Sequence, residues 1–205
     1  ELNTSIGDSA GKCNTTGDRN TSVGYSSLYN NTASDNTAVG YTSLYANTTG
    51  TRNVAVGCGA LASNVDDNDN TAIGFDALTV NTGQNNTALG TCALRGNQTA
   101  NDNTGIGMRS LFTNTTGASN TGLGFSALKL NTTGGNNTAV GFCSLQANTT
   151  ASNNTAVGFC ALKTNTVGFD NAAFGRSSLC LLTDGDYNTA IGSGSMAKTT
   201  TGLRN

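Results

Sequence analysis

The chain contains no proline, no histidine and no tryptophan. Average usage would place about ten prolines in this length. Missing histidine excludes a histidine general base, a Ser-His-Asp triad and any histidine metal ligand. Charge is scarce: ten Lys and Arg and twelve Asp and Glu make up 11% of 205 residues, with a net charge of −2. The basic residues are scattered singly, so no basic stripe points to nucleic acid. No apolar run approaches the ~18 residues of a membrane span, so no membrane insertion is expected.

What is present is equally lopsided. The chain holds 34 Thr, 29 Asn and 27 Gly. Such polarity can accompany disorder, but disordered chains are usually rich in proline. The order of the residues decides the matter, because it is periodic. Asn-Thr-Ala-Val-Gly begins at Asn36, Asn137 and Asn154, and close variants fill the gaps. Repeats start at residues 3, 20, 36, 53, 70, 86, 103, 120, 137, 154, 171 and 188. The period is 17, with two repeats of 16.

The alignment columns are regular. Columns one and five are Asn and Gly in all twelve repeats. Column two is Thr in ten, with Val54 and Ala172 as exceptions. Column three is Ala, Ser or Gly, and column four is always apolar, from Ile6 to Ile191. Column eight is Ala or Ser; column nine is Leu in ten repeats and column twelve is Asn in ten.

A 17-residue unit is too short for the helix pairs of larger solenoids. Short strands between Gly and Asn corners fit better. The pattern predicts an all-β fold: a parallel β-solenoid of twelve ~17-residue coils forming one repeat domain over 1–205. Columns two to four are expected to form one strand and columns seven to nine a second. One coil cannot bury its own apolar side chains, but stacked coils can. At ~4.8 Å per coil the rod would be about 58 Å long. Proline would break the hydrogen bonds between coils, and stacked asparagines are expected to bond one another.

Strand side chains alternate faces, so columns three and four point opposite ways. Two packings follow. In the favoured one, column four and the column-nine leucines fill the interior. In the other, small residues fill a thin interior and column four forms an external stripe that another chain must cover. Column six carries Tyr25, Tyr41, Phe75, Phe125, Phe142 and Phe159. Phe125, Phe142 and Phe159 occupy three successive coils and can form an aromatic stack, as ladder packing or as a platform for surface glycans. The chain stops one residue into a thirteenth repeat and shows no separate cap. That fits a segment of a longer rod or a subunit whose open ends stack head to tail.

The repeats resemble the Asn-Thr-Ala-Val-Gly-x-x-Ala-Leu arrays of tail-fibre-like and surface-fibre proteins of bacteria, phages and large viruses. They are also similar to the head repeats of trimeric autotransporter adhesins, whose Ser-Val-Ala-Ile-Gly motif parallels Asn137–Gly141. The resemblance implies a parallel β-roll, self-association as a trimer or filament, and a place outside the cell, on a cell surface or on a virion.

Six cysteines occur, and no spacing matches a zinc site. Cys143 and Cys160 share column seven in adjacent coils, within bridging range but with side chains pointing the same way. Twelve N-x-Ser/Thr sequons are present. Those at Asn14, Asn47, Asn97, Asn114, Asn131 and Asn148 fall in column twelve and are expected to offer a surface corner for glycosylation. Asp66, Asp67 and Asp69 crowd one corner and Asp184 and Asp186 another. They read as solvated turns rather than calcium sites, because the calcium-binding nonapeptide is absent. No metal and no cofactor is expected. Without a nucleophile–base pair or convergent carboxylates, the chain does not read as an enzyme. The expected function is structural: a segment of an extracellular fibre, filament or virion appendage. The alternatives are an adhesin or carbohydrate-binding rod and, further off, an ice-binding solenoid. Ice binding is disfavoured because column two supplies only one threonine rank.

Overall fold

The computed structural model describes residues 2–205. The chain is a parallel β-solenoid with one short strand per coil. Twelve three-residue strands, from Thr4–Ile6 to Thr189–Ile191, occupy columns two to four. Each pairs with the next in a single sheet that follows sequence order. The register joins like columns: Thr138, Ala139 and Val140 lie beside Thr155, Ala156 and Val157. The two 16-residue coils keep this register, with Thr21 beside Thr37 and Thr71 beside Thr87. Their deletion falls in the last corner, where Asn31-Thr32-Ala33 and Asn81-Thr82-Gly83 replace Asn-Thr-Thr-Gly.

The second strand expected over columns seven to nine is not formed; turns occupy that stretch. Backbone handedness explains why. In the coil starting at Asn137, Gly141 has φ +132°, Cys143 +53° and Leu145 +48°. The same three columns, and the last column of each repeat, are left-handed throughout the rod. A strand cannot hold such residues, and its alternation of faces lapses with it. Columns eight and nine therefore both point inward, and Ser144 and Leu145 are fully buried. A left-handed leucine costs about 1–2 kcal/mol. Full burial of its side chain contributes about 1.5–3 kcal/mol, so the column is sustained.

Coils bond one another around their circumference, not only at the strand. Between the coils starting at Asn137 and Asn154, Thr138 N donates to Asn154 O (2.8 Å), Leu145 N to Ala161 O (3.0 Å) and Thr149 N to Thr166 O (3.1 Å). In return Gly158 N donates to Val140 O (2.7 Å) and Cys160 N to Phe142 O (2.9 Å). Proline would delete a donor at each of these positions, which accounts for its absence.

The core is thin. Columns three, eight and nine line it with Ala, Ser and Leu, and two asparagine columns complete it. The favoured packing is corrected in one respect: column nine is interior, but column four points out. Space enforces the choice. A Cβ built on Gly122 in column three would lie 2.5 Å from Ser110 Oγ, and one on Gly105 would lie 3.1 Å from Leu94 Cγ. The interior at column three admits no side chain larger than those of Ala and Ser, so the bulky member of the pair faces solvent.

Candidate functional site

Two largely buried asparagine columns run along the rod, column one through all twelve coils and column twelve from Asn14 to Asn165. In column twelve from Asn47 to Asn165, Nδ2 donates to Oδ1 of the preceding coil's asparagine, as from Asn114 to Asn97 (2.8 Å), Asn131 to Asn114 (2.7 Å) and Asn148 to Asn131 (2.7 Å). The second hydrogen of the same Nδ2 goes to a carbonyl three residues on, as from Asn131 to Gly134 O (2.9 Å). Column one approaches that carbonyl from the other side, with Asn120 Nδ2 2.8 Å from Gly134 O. Column one also accepts between coils: Asn137 N donates to Asn120 Oδ1 at 2.9 Å. These bonds satisfy polar groups that would otherwise be costly to bury.

This geometry corrects the reading of column twelve as a surface corner. Asn47, Asn97, Asn114, Asn131 and Asn148 are fully buried. Asn14 is half-buried and its Nδ2 donates to Gly17 O at 3.0 Å. The sequon pattern records the composition of a structural ladder. The signal that separates the two readings is that column twelve is Asn even where no sequon follows, at Asn31, Asn64, Asn81 and Asn165.

The outward face of the sheet carries threonine in column two and apolar side chains in column four. Ile6, Ile73, Leu89, Leu123, Phe174 and Ile191 are exposed, and the remaining column-four residues are half-buried. Beside them lies the aromatic column six. Phe125 and Phe142 stack at 5.1 Å with 11° between planes, and Phe142 and Phe159 at 5.3 Å with 7°. Tyr25 and Tyr41 stack likewise at 5.4 Å. Parallel rings this close cover one another's faces. A sugar platform needs an open ring face, so the stack presents mainly edges.

A second aromatic pair, Tyr29 and Tyr45, stacks at 5.3 Å in column ten. Nearby, Gly96 leaves a notch of about 280 Å³ lined by Val80, Arg95, Phe112 and Thr113. The Arg95 guanidinium already sits 3.5 Å from Asp76 and 6.0 Å from the centre of the Phe112 ring.

Charges pair along the last column of the repeat. Arg19 holds Asp35 with two bonds of 2.6 and 2.8 Å, and Arg52 holds Asp69 with 2.6 and 2.7 Å. The hydrogen bonds from these guanidiniums draw both carboxyls below the usual carboxylate range. Asp67 behaves oppositely: burial, then repulsion from Asp66, pushes its carboxyl up. Of the other corner acids, Asp184 accepts from the Thr183 hydroxyl and Asp186 from the Phe169 N–H.

The six cysteines are free thiols. Cys143 is buried, and burial followed by the neighbouring Cys160 raises its thiol pKa. Cys58 takes an exposed place in the aromatic column. No protein-family model matches the chain, and no curated protein and no solved structure matches it significantly.

Proposed function

We propose that the chain is a structural rod, a segment of an extracellular fibre, filament or virion appendage, and that copies associate side by side. The observation that carries this reading is the outward stripe of column four, apolar in all twelve coils and bordered by the column-six aromatics. The stripe covers on the order of several hundred Å² in one continuous line, the kind of exposed patch that marks an interaction surface. A second copy presenting the same stripe matches it in length and chemistry. Charge is sparse there, so little has to be desolvated on association.

Electron microscopy and analytical ultracentrifugation test the proposal. Discrete oligomers or filaments are expected. Replacing Val140 and Val157 by Lys should leave folded monomers, because both side chains lie half-buried on the outward face, where a lysine stem can lie along the stripe with its ammonium in water. A wild-type chain that stays monomeric at tens of micromolar overturns lateral assembly. Binding to a glycan array by that monomer would favour the adhesin alternative, and thermal hysteresis would favour ice binding.

A further inference from the structure

The twelve sequons fall into chemically different places. Two lie in column one (Asn3, Asn20), six in column twelve, one in column eleven (Asn30) and three in the last column (Asn85, Asn136, Asn153). At Asn85, Asn136 and Asn153 the side chain is exposed on a left-handed residue with φ of 58–61°. The Nδ2 of Asn85 meets only the exposed Asp102 carboxylate, at 3.1 Å. At five of the six column-twelve sequons, Asn47, Asn97, Asn114, Asn131 and Asn148, both hydrogens of Nδ2 are committed inside the rod, whereas half-buried Asn14 in the first coil commits one. Asn114 gives one to Asn97 Oδ1 and one to Gly117 O, each at 2.8 Å.

N-glycosylation consumes one of those hydrogens. The amide nitrogen attacks C1 of a diphosphate-activated glycosyl donor, the C1–N bond forms, the C1–O bond to the diphosphate breaks, and the nitrogen releases a proton. The product retains one N–H where Asn47, Asn97, Asn114, Asn131 and Asn148 need two, and the sugar needs space at five fully buried side chains. We propose that N-linked sugar has two opposite fates on this chain, set by column. The last-column asparagines carry it on the folded rod. At Asn47, Asn97, Asn114, Asn131 and Asn148 of column twelve it prevents the coil from joining the stack. Transfer during synthesis acts on the extended chain, where all twelve sequons are open. The fold therefore sorts products: chains modified in column twelve stay unstacked, and chains modified only in the last column close into rods.

The test compares cytosolic expression with the secretory route of a glycosylating cell, using the full chain. The companion variant places Ala at the third residue of every sequon in columns one and twelve: Ser5, Thr16, Ser22, Thr49, Thr99, Thr116, Thr133 and Thr150. It leaves all asparagines in place, and the column-fourteen threonines among these are exposed. In the cytosol both chains should fold alike. In the secretory route the wild type should be retained and protease-sensitive, with sugar mapped to column twelve. The variant should be secreted folded in about fivefold or greater yield, given how strongly folding sets abundance, with sugar at Asn85, Asn136 or Asn153. Protease-resistant wild-type rods bearing sugar at Asn47, Asn97, Asn114, Asn131 or Asn148 overturn the proposal. Equal secreted yields, or a folded secreted variant bare at all three last-column sites, also overturn it. Should the variant fold poorly in the cytosol, site mapping of the wild-type folded and unfolded fractions decides alone.

Discussion

Leu182 ends the asparagine ladder at Asn165. It stands in column twelve, where the next donor would be, and Asn165 Oδ1 is buried with no hydrogen-bond partner. Asn165 still donates to Gly168 O at 2.7 Å, so only its acceptor is orphaned. Leu182 itself is fully buried.

That break predicts an asymmetry between two substitutions. Leu182→Asn satisfies a buried acceptor, worth about 1–3 kcal/mol, and forfeits a buried leucine, worth about 1.5–3 kcal/mol. Its net effect should stay within about 1 kcal/mol, since the two terms nearly cancel. Asn114→Leu instead leaves Asn97 Oδ1 and Gly117 O without their donor and one hydrogen of Asn131 Nδ2 without its acceptor. It should destabilise by about 3–9 kcal/mol, three times the cost of one orphaned buried group. Thermal and urea unfolding of the two variants checks the pair.

Columns four and nine hold similar side chains with different burial. Leu111→Ala should cost about 2–5 kcal/mol. Val140→Thr, on the outer face, should change monomer stability by less than about 0.5 kcal/mol. If the reverse order were measured by denaturation, the inward and outward assignment would be wrong.

Column-five glycine is required twice over. Gly141 has φ +132°, and a Cβ there would lie 2.5 Å from Gly158 O in the next coil. Gly192 has a comparable φ of +119° with nothing within 4 Å. Gly141→Ala and Gly192→Ala thus share the backbone strain of about 1–3 kcal/mol. The first adds a clash with backbone that cannot yield without parting the coils. Hydrogen exchange should show local opening around residues 141–158 only in Gly141→Ala.

Asp67 places a carboxyl where other coils have glycine or alanine, and its Oδ2 is buried without a partner. Its pKa is raised in the folded chain. A raised carboxyl binds its proton more tightly folded than unfolded, so its contribution is favourable in acid and is lost as pH rises through the folded pKa. Asp67→Gly should therefore melt higher than wild type at pH 7, by a few degrees. The gap should close below about pH 3.9, the unfolded aspartate value. Melting curves across that range test it. The lowered carboxyls of Asp35 and Asp69 predict the opposite trend for their own alanine variants.

Cys58 provides a natural probe of lateral assembly. If copies associate parallel and in register, every Cys58 reaches the same level of the apolar stripe. Mild oxidation with dioxygen and a copper catalyst should then give disulfide-linked chains on a non-reducing gel, and Cys58→Ser should abolish them. An antiparallel pair would set Cys58 near Phe142 instead and give no such product.

Much of this architecture is legible in the sequence, because a stacked repeat writes each structural position twelve times. Asn at columns one and twelve and Gly at column five announce coils, corners and ladders without further help. The inward turn of both Ser144 and Leu145 is not legible, because it depends on left-handed residues at Cys143 and Leu145. Leucine at such a φ runs against its own preference and is held there by the burial it gains. The direction of column four is hidden for a related reason. Parity tells that Ala139 and Val140 oppose each other, but only the depth of the core decides which one is inside. The surface sequons were obscured by the more numerous buried ones, which share the same three-letter pattern.

Only three residues of each coil lie in a strand, while hydrogen bonds between coils run around the rest. The folded rod should therefore give a weak far-ultraviolet β signature, close to that of an irregular chain. A spectroscopist grading preparations by circular dichroism would discard material that is ordered throughout. Slow amide exchange, spread evenly over turns and strands, is the measure on which this protein will look folded.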